Sequence, residues 1–191
     1  MTSILSSLSM SAIVYFVEGF LFLIGFPVWI YYLYKIMKIQ MLILFLVLNF
    51  GALAIGAYLM GGETQGSWYT SLNKAPWTPP GWVFGAAWFT IMILFSLYAW
   101  NMHLGLDENT KTTFYTVFAL QWLLNVLWNP LFFKWHLTTF SLVVIIALTL
   151  VVGWFLWKGF QSKIINGIFV LPYFIWLCIA TSLNWYVVVK N

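Results

Sequence analysis

Six apolar stretches follow one another along the chain, at about 12–34, 40–60, 82–101, 113–133, 138–157 and 165–187, each near the roughly 20 residues a helix needs to cross a bilayer's hydrocarbon core. Inside hydrocarbon every backbone N–H and C=O must find its partner within the segment or in a closed barrel. The period-two alternation of a membrane barrel is absent, so the spans are read as α-helices. Composition agrees: with 8 lysines, 4 acids, 63% hydrophobic residues and a mean hydropathy of +0.95 over 191 residues, the polar surface is too small to cover a water-soluble fold. The expected class is an all-α integral membrane protein.

Polar punctuation falls between the stretches. Lys35 and Lys38 separate the first two, "GGETQGSWYTSLNKAPWTPPG" the next pair, "HLGLDENTK" the third and fourth, Lys134 and His136 the fourth and fifth, and "KGFQSK" the last pair. Lys35, Lys38, Lys111, Lys158 and Lys163 fall on one side of the bilayer and Lys74, Lys134 and Lys190 on the other, a bias that makes the first side cytoplasmic. The first stretch lacks the basic flank of a signal peptide, and its length predicts a retained span. Glu18 near its start is a functional candidate as an intramembrane carboxylate, yet it is shallow enough to reach the interface, and the interfacial reading is preferred.

Several classes are excluded. The net charge of +4 is dispersed in short connections and forms no patch for nucleic acid. The single cysteine, Cys178, rules out disulfides within the chain and thiolate metal sites. His103 and His136 have no second ligand at metal spacing, so no metal is expected. No Ser, His and acid grouping can be assembled for hydrolysis.

Two helical faces and one connection stand out. Gln121, Asn125, Trp128 and Phe132 recur at steps of four, three and four, within about 60° on a 3.6-residue helix. Tyr173, Trp176, Ala180 and Asn184 share a face of the last span, with the small Ala180 leaving a gap beside Trp176. Amides and indoles on such faces turn away from lipid, where they serve either as interhelical bonds or as a site. In the long connection, Pro76, Pro79 and Pro80 predict a stiff, non-helical arm over 74–80, with Pro80 at the opening of the third span. Phe84, Trp88, Ile91 and Phe95 then share one face.

"GAY" at 56–58, "WYTSLNKAPWTPP" at 68–80, "FGAAW" at 84–88, "LQWLLNVLWNPLFF" at 120–133 and "LPYFIWLCIATSLNWY" at 171–186 occur in this order. In these segments the chain resembles the translocator proteins, also called tryptophan-rich sensory proteins (TspO, peripheral-type benzodiazepine receptors), over about residues 41–191. The resemblance implies a five-helix bundle at 41–191, with loop 61–82 as a lid. Residues 1–40 are then an extra N-terminal transmembrane helix and basic linker.

The resemblance further implies a pocket for porphyrins, sterols and benzodiazepine-like drugs. Ala57, Met60, Tyr69, Phe84, Gly85, Trp88, Asn125, Trp128, Trp176, Ala180 and Leu183 would bind the ligand, beneath a lid of Trp68, Lys74, Pro76, Trp77, Pro79 and Pro80. A sterol motif would use Leu183, Tyr186 and Lys190, its base one position later than in the animal proteins. The family's loop usually reads Lys-Pro-x-Trp, and here Pro76 stands one place later.

The function so implied is a membrane receptor for protoporphyrin IX or haem, with a sensory role in tetrapyrrole metabolism or stress and no cofactor of its own. Two alternatives stand beside it: a light-dependent porphyrin-degrading enzyme using Trp88 and Trp176, and a transporter of porphyrin or lipid-like ligands. Ion coupling is disfavoured for a transporter, since the five core spans hold no Asp or Glu. A homodimer is implied, and Gly51, Ala52, Gly56 and the Gly81–Gly85 pair offer small-residue packing surfaces. The expected location is a bacterial cytoplasmic membrane, with the mitochondrial outer membrane as alternative.

Overall fold

The computed structural model describes residues 10–191, with the side chains of several residues between 10 and 26, and of Gln65, outside the description; Glu18 is among these. The described chain is helical almost throughout: α1 (Met10–Met60), α2 (Ser67–Ser71), α3 (Gly81–Gly105), α4 (Glu108–Asn129), α5 (Thr138–Ser162) and α6 (Ile164–Lys190). A 3₁₀ turn at Glu63–Gln65 precedes α2, and a π-helical turn at Pro130–Lys134 extends α4. Five helices among the described residues are long and apolar enough to cross a membrane, over Pro27–Met60, Gly81–Gly105, Glu108–Lys134, Thr138–Ser162 and Ile164–Lys190. The short α2 is not one of them.

The structure differs from the sequence reading at Lys35 and Lys38. The two spans expected at 12–34 and 40–60 belong to one helical element, with no turn between them. Lysine is a good helix former, and neither Gly nor Pro occurs from Val28 to Phe50, so the charges interrupt the hydrophobic run without interrupting the backbone. By compactness the chain divides into Met1–Met41 and Leu42–Asn191. In the first unit, Lys38 Nζ lies 4.1 Å above the Tyr34 ring.

The second unit is the bundle. α5 packs most extensively on α6, and α6 also packs on α3 and α5 on α4. Lipid tails are as apolar as leucine, so helix association depends on close packing and on hydrogen bonds between helices, each contributing about 0.6–2 kcal/mol. Asn49 Nδ2 donates to Ser96 Oγ at 2.8 Å, joining α1 to α3. Trp122 Nε1 donates to the Leu48 carbonyl at 2.8 Å, joining α4 to α1. Gln121 Nε2 donates to Tyr173 Oη at 2.8 Å, and Tyr98 Oη to the Phe155 carbonyl at 3.1 Å.

Around these bonds Phe95, Tyr98, Phe114, Phe118 and Phe155 form a dense aromatic core, with Phe95 in contact with Phe118, Phe155 and Tyr173 at centroid distances of 5.3–5.9 Å. This core lies toward the end of the bundle that carries the short α3–α4 and α5–α6 connections. The opposite end carries residues 61–80, the α4–α5 turn and the end of α6, where Asn73 N–H donates to Asn191 Oδ1 at 2.8 Å.

Candidate functional site

Local chain chemistry builds the loop end. Gly61 and Gly62 take φ of +68° and +80°, which only glycine adopts without cost, and so turn the chain out of α1. The 3₁₀ turn and α2 follow, and the non-helical arm runs over 72–80, which includes the expected 74–80. Trp68 stacks on His136 at 4.0 Å and meets Phe132 edge-on at 5.6 Å, which pins α2 to the α4–α5 turn. Tyr69 packs on Phe133 at 5.2 Å. Burial raises the Tyr69 phenol above its ordinary pKa, so it stays neutral.

The proline arm is tied at several points. Thr78 Oγ1 and N–H both donate to the Ala75 carbonyl, at 2.7 and 2.9 Å, and Ala75 itself is buried. Trp77 Nε1 donates to Ser182 Oγ at 3.1 Å while its ring meets Tyr186 at 5.5 Å. Pro80 is the residue before the first turn of α3, where its missing N–H costs nothing.

At the far side, Pro130 cannot give an N–H to the preceding turn of α4, and the chain widens into a π turn closed by Trp135 N–H on the Pro130 carbonyl at 2.9 Å. The widened turn buries both Phe132 and Phe133.

Beneath this loop a cavity of about 550 Å³ opens between the last turns of α1 and helices α3, α4 and α6, a size common for small-molecule pockets. Phe84 and Trp88 enter from α3, Asn125 and Trp128 from α4, and Trp176 and Ala180 from α6. The rings brace one another: Phe84 meets Trp176 at 5.2 Å and Trp88 meets Tyr173 at 5.8 Å, both edge-on. Trp128 Nε1 donates to Asn184 Oδ1 at 3.0 Å, and Asn184 is fixed in turn by Ser141 Oγ at 2.9 Å and by its own bond to the Thr138 carbonyl at 3.0 Å. That network locks one indole wall in place. Trp176 is 8% exposed, and its indole N–H has no hydrogen-bond partner in the protein.

Nine of the expected ligand residues line this cavity: Ala57, Met60, Tyr69, Phe84, Trp88, Asn125, Trp128, Trp176 and Ala180. Two do not. Gly85 is exposed and is not part of the wall that Gly81, Phe84 and Trp88 form around it in sequence. Leu183 lines an adjoining recess of about 50 Å³ with Phe132 and Val187. Among the lid residues, Lys74 and Pro79 reach the cavity, whereas Trp68 in α2 and Pro76, Trp77 and Pro80 in the arm stay outside its wall. Of the sterol-motif residues, Tyr186 is covered by Trp77 and Lys190 is exposed at the end of α6.

Sequence reasoning missed Leu53, Thr64, Thr78, Gly81, Asn129, Phe133 and Ile145. Asn129 was within reach, since it extends the Gln121, Asn125 series by four. A Cβ on Gly56 would lie 2.6 Å from Asn129 Nδ2, so the glycine of α1 makes room for this amide. Ile145 carries no signal that separates it from any other apolar residue of α5.

Residues 42–189 match the TspO/MBR family. The chain belongs to this family. It is 37% identical over 117 residues to a tryptophan-rich sensory protein of Cereibacter sphaeroides, covering 61% of this chain and 72% of that protein. It is 34% identical to the tryptophan-rich protein TspO of Archaeoglobus fulgidus, over 71% of this chain and 87% of the relative. The human translocator protein is 31% identical over 69% of this chain and 78% of its own length. The aromatic cavity lies within the stretch that defines the TspO/MBR match.

Proposed function

We propose that this TspO/MBR protein is a membrane receptor for porphyrins such as protoporphyrin IX and haem, with a sensory or regulatory role in tetrapyrrole metabolism or stress. The observation that carries the reading is the cavity under the loop, where Phe84, Trp88, Trp128 and Trp176 offer flat aromatic surface and Asn125 and Asn129 offer polar edges. Braced rings have little rotamer freedom to lose, so stacking a planar hydrophobe against them costs little side-chain entropy. Sterol-like and benzodiazepine-like hydrophobes are further ligands on this reading, which includes a homodimer and a bacterial cytoplasmic membrane as setting. Titration of purified protein with protoporphyrin IX is expected to quench tryptophan fluorescence saturably. Quenching that rises linearly without saturation contradicts it.

Trp88 and Trp176 favour a second reading because both line one cavity: light-dependent breakdown of bound porphyrin in the presence of oxygen, with these indoles as redox partners. Illuminated protein then bleaches porphyrin absorbance, and Trp88→Phe and Trp176→Phe slow it. Equal bleaching by all three proteins removes this reading and leaves the receptor intact.

A further inference from the structure

We propose that Lys74 forms an anion subsite at the mouth of the cavity, which selects flat hydrophobes carrying a carboxylate over neutral ones of the same shape. The assignment rests on the receptor reading and goes beyond it, to the charge class of the ligand.

Lys74 lines both the cavity and the adjoining recess. Its backbone is held from both sides: Asn73 N–H donates to Asn191 Oδ1 at 2.8 Å, Asn191 Nδ2 donates back to the Asn73 carbonyl at 3.3 Å, and Ala75 is 5% exposed. The ammonium is therefore presented from a fixed point on an otherwise flexible stem. Nζ lies 4.0 Å over the Tyr69 ring, and Tyr69 lines the same cavity. The ring holds the cation by its quadrupole without neutralising it.

Among the described residues, no acidic side chain is paired with this charge. The ion pair among the described residues joins Lys111 to Glu108 at the other end of the bundle. Glu63 is the carboxylate of the same connection and does not line the cavity. Lys134 and Lys190, the other lysines at this end of the bundle, are exposed and outside the wall. The mouth thus carries one positive charge, with the Thr64 hydroxyl and the Asn129 amide nearby in the lining, above a predominantly aromatic chamber. An amphiphile with an apolar plate and a carboxylate edge meets both halves at once. Its carboxylate accepts from Nζ in a charge-assisted bond, about twice as strong as a neutral one.

The test uses protoporphyrin IX as the free acid and as its dimethyl ester, which keeps the ring and removes the charge. Each is titrated against the full chain, as wild type, Lys74→Met and Lys74→Arg, in nanodiscs of zwitterionic lipid. Wild type is expected to bind the acid roughly tenfold more tightly than the ester, as one charged hydrogen bond predicts. Lys74→Met is expected to bind the two alike, and Lys74→Arg to restore the preference. Comparing ratios within each protein cancels the different partitioning of acid and ester into lipid. Equal affinities in wild type, or a preference that survives Lys74→Met, overturn the anion subsite while leaving porphyrin binding in place. Saturable binding of neither compound overturns both. A thermal melt matching wild type shows that Lys74→Met is folded, and Lys74→Gln serves as a second neutral variant if it is not.

Discussion

The two ends of the bundle use the same residue types to opposite effect. At one end Phe95, Tyr98 and Phe155 are fully buried and fill the space between helices. At the loop end Phe84, Trp88, Trp128 and Trp176 are as aromatic, yet they stand around about 550 Å³ of space. Aromatic content therefore does not mark the candidate site. What marks it is small residues beside large ones, Ala57 and Ala180 in the wall and Gly56 behind Asn129, under a loop that its bonds tie to α6 and the Asn191 end.

If that contrast is right, truncation separates the two ends most sharply. Phe155→Ala in the filled end is expected to lose about 3–5 kcal/mol of stability, read by denaturation in detergent. Trp88→Phe in the cavity wall is expected to cost about 1 kcal/mol or less while weakening porphyrin binding. Similar stability losses for both would erase the distinction.

Next in size, Asn184→Ala leaves the Trp128 indole N–H without its acceptor, while Ser141 Oγ keeps the Thr138 carbonyl at 2.7 Å, and is expected to cost about 1–3 kcal/mol. Trp128 loses its anchor, so ligand affinity falls with stability. Gly56→Ala forces Asn129 off its position, since the new Cβ would sit 2.6 Å from Nδ2. The expected cost is about 1–3 kcal/mol, together with a drop in affinity as the amide is pushed from its place in the cavity lining.

The smallest effect belongs to the far end. Asp107 Oδ1 accepts from Thr110 N–H at 2.9 Å and caps α4, and this bond holds its carboxyl below the ordinary carboxylate range. A lowered pKa means the cap stabilises the fold above the unfolded-state value and loses that contribution as pH falls through the folded-state value. Asp107→Ala is expected to flatten this acid limb slightly in a pH series of thermal melts, with porphyrin affinity unchanged at neutral pH.

Much of this arrangement is legible in the residues. Apolar length alone identifies four of the five spans and the membrane-crossing end of α1. The α4 and α6 stripes place Asn125, Trp128, Trp176 and Ala180 facing one cavity. The same stripes cannot say where filling stops and space begins: Gln121 lies on the Asn125 face but bonds Tyr173 in the packed interior. Gly85 shows the limit of motif transfer: next to Phe84 and one turn beyond Gly81, it is outside the lining that both of them join. The continuity of α1 through Lys35 and Lys38 was hidden because charge marks the end of a hydrophobic run, whereas the backbone answers to Gly, Pro and capping. The π turn at Pro130 follows from a missing donor, yet whether a proline kinks, ends or widens a helix depends on its neighbours.

The central claim is that the space under the loop is where porphyrin binds. The most direct measurement is a protoporphyrin IX titration of wild type against Ala180→Leu, whose larger side chain fills the cavity without removing any ring. Wild type is expected to bind saturably, and the variant to lose at least roughly tenfold in affinity while melting no lower. Unchanged affinity in a folded Ala180→Leu protein would contradict it.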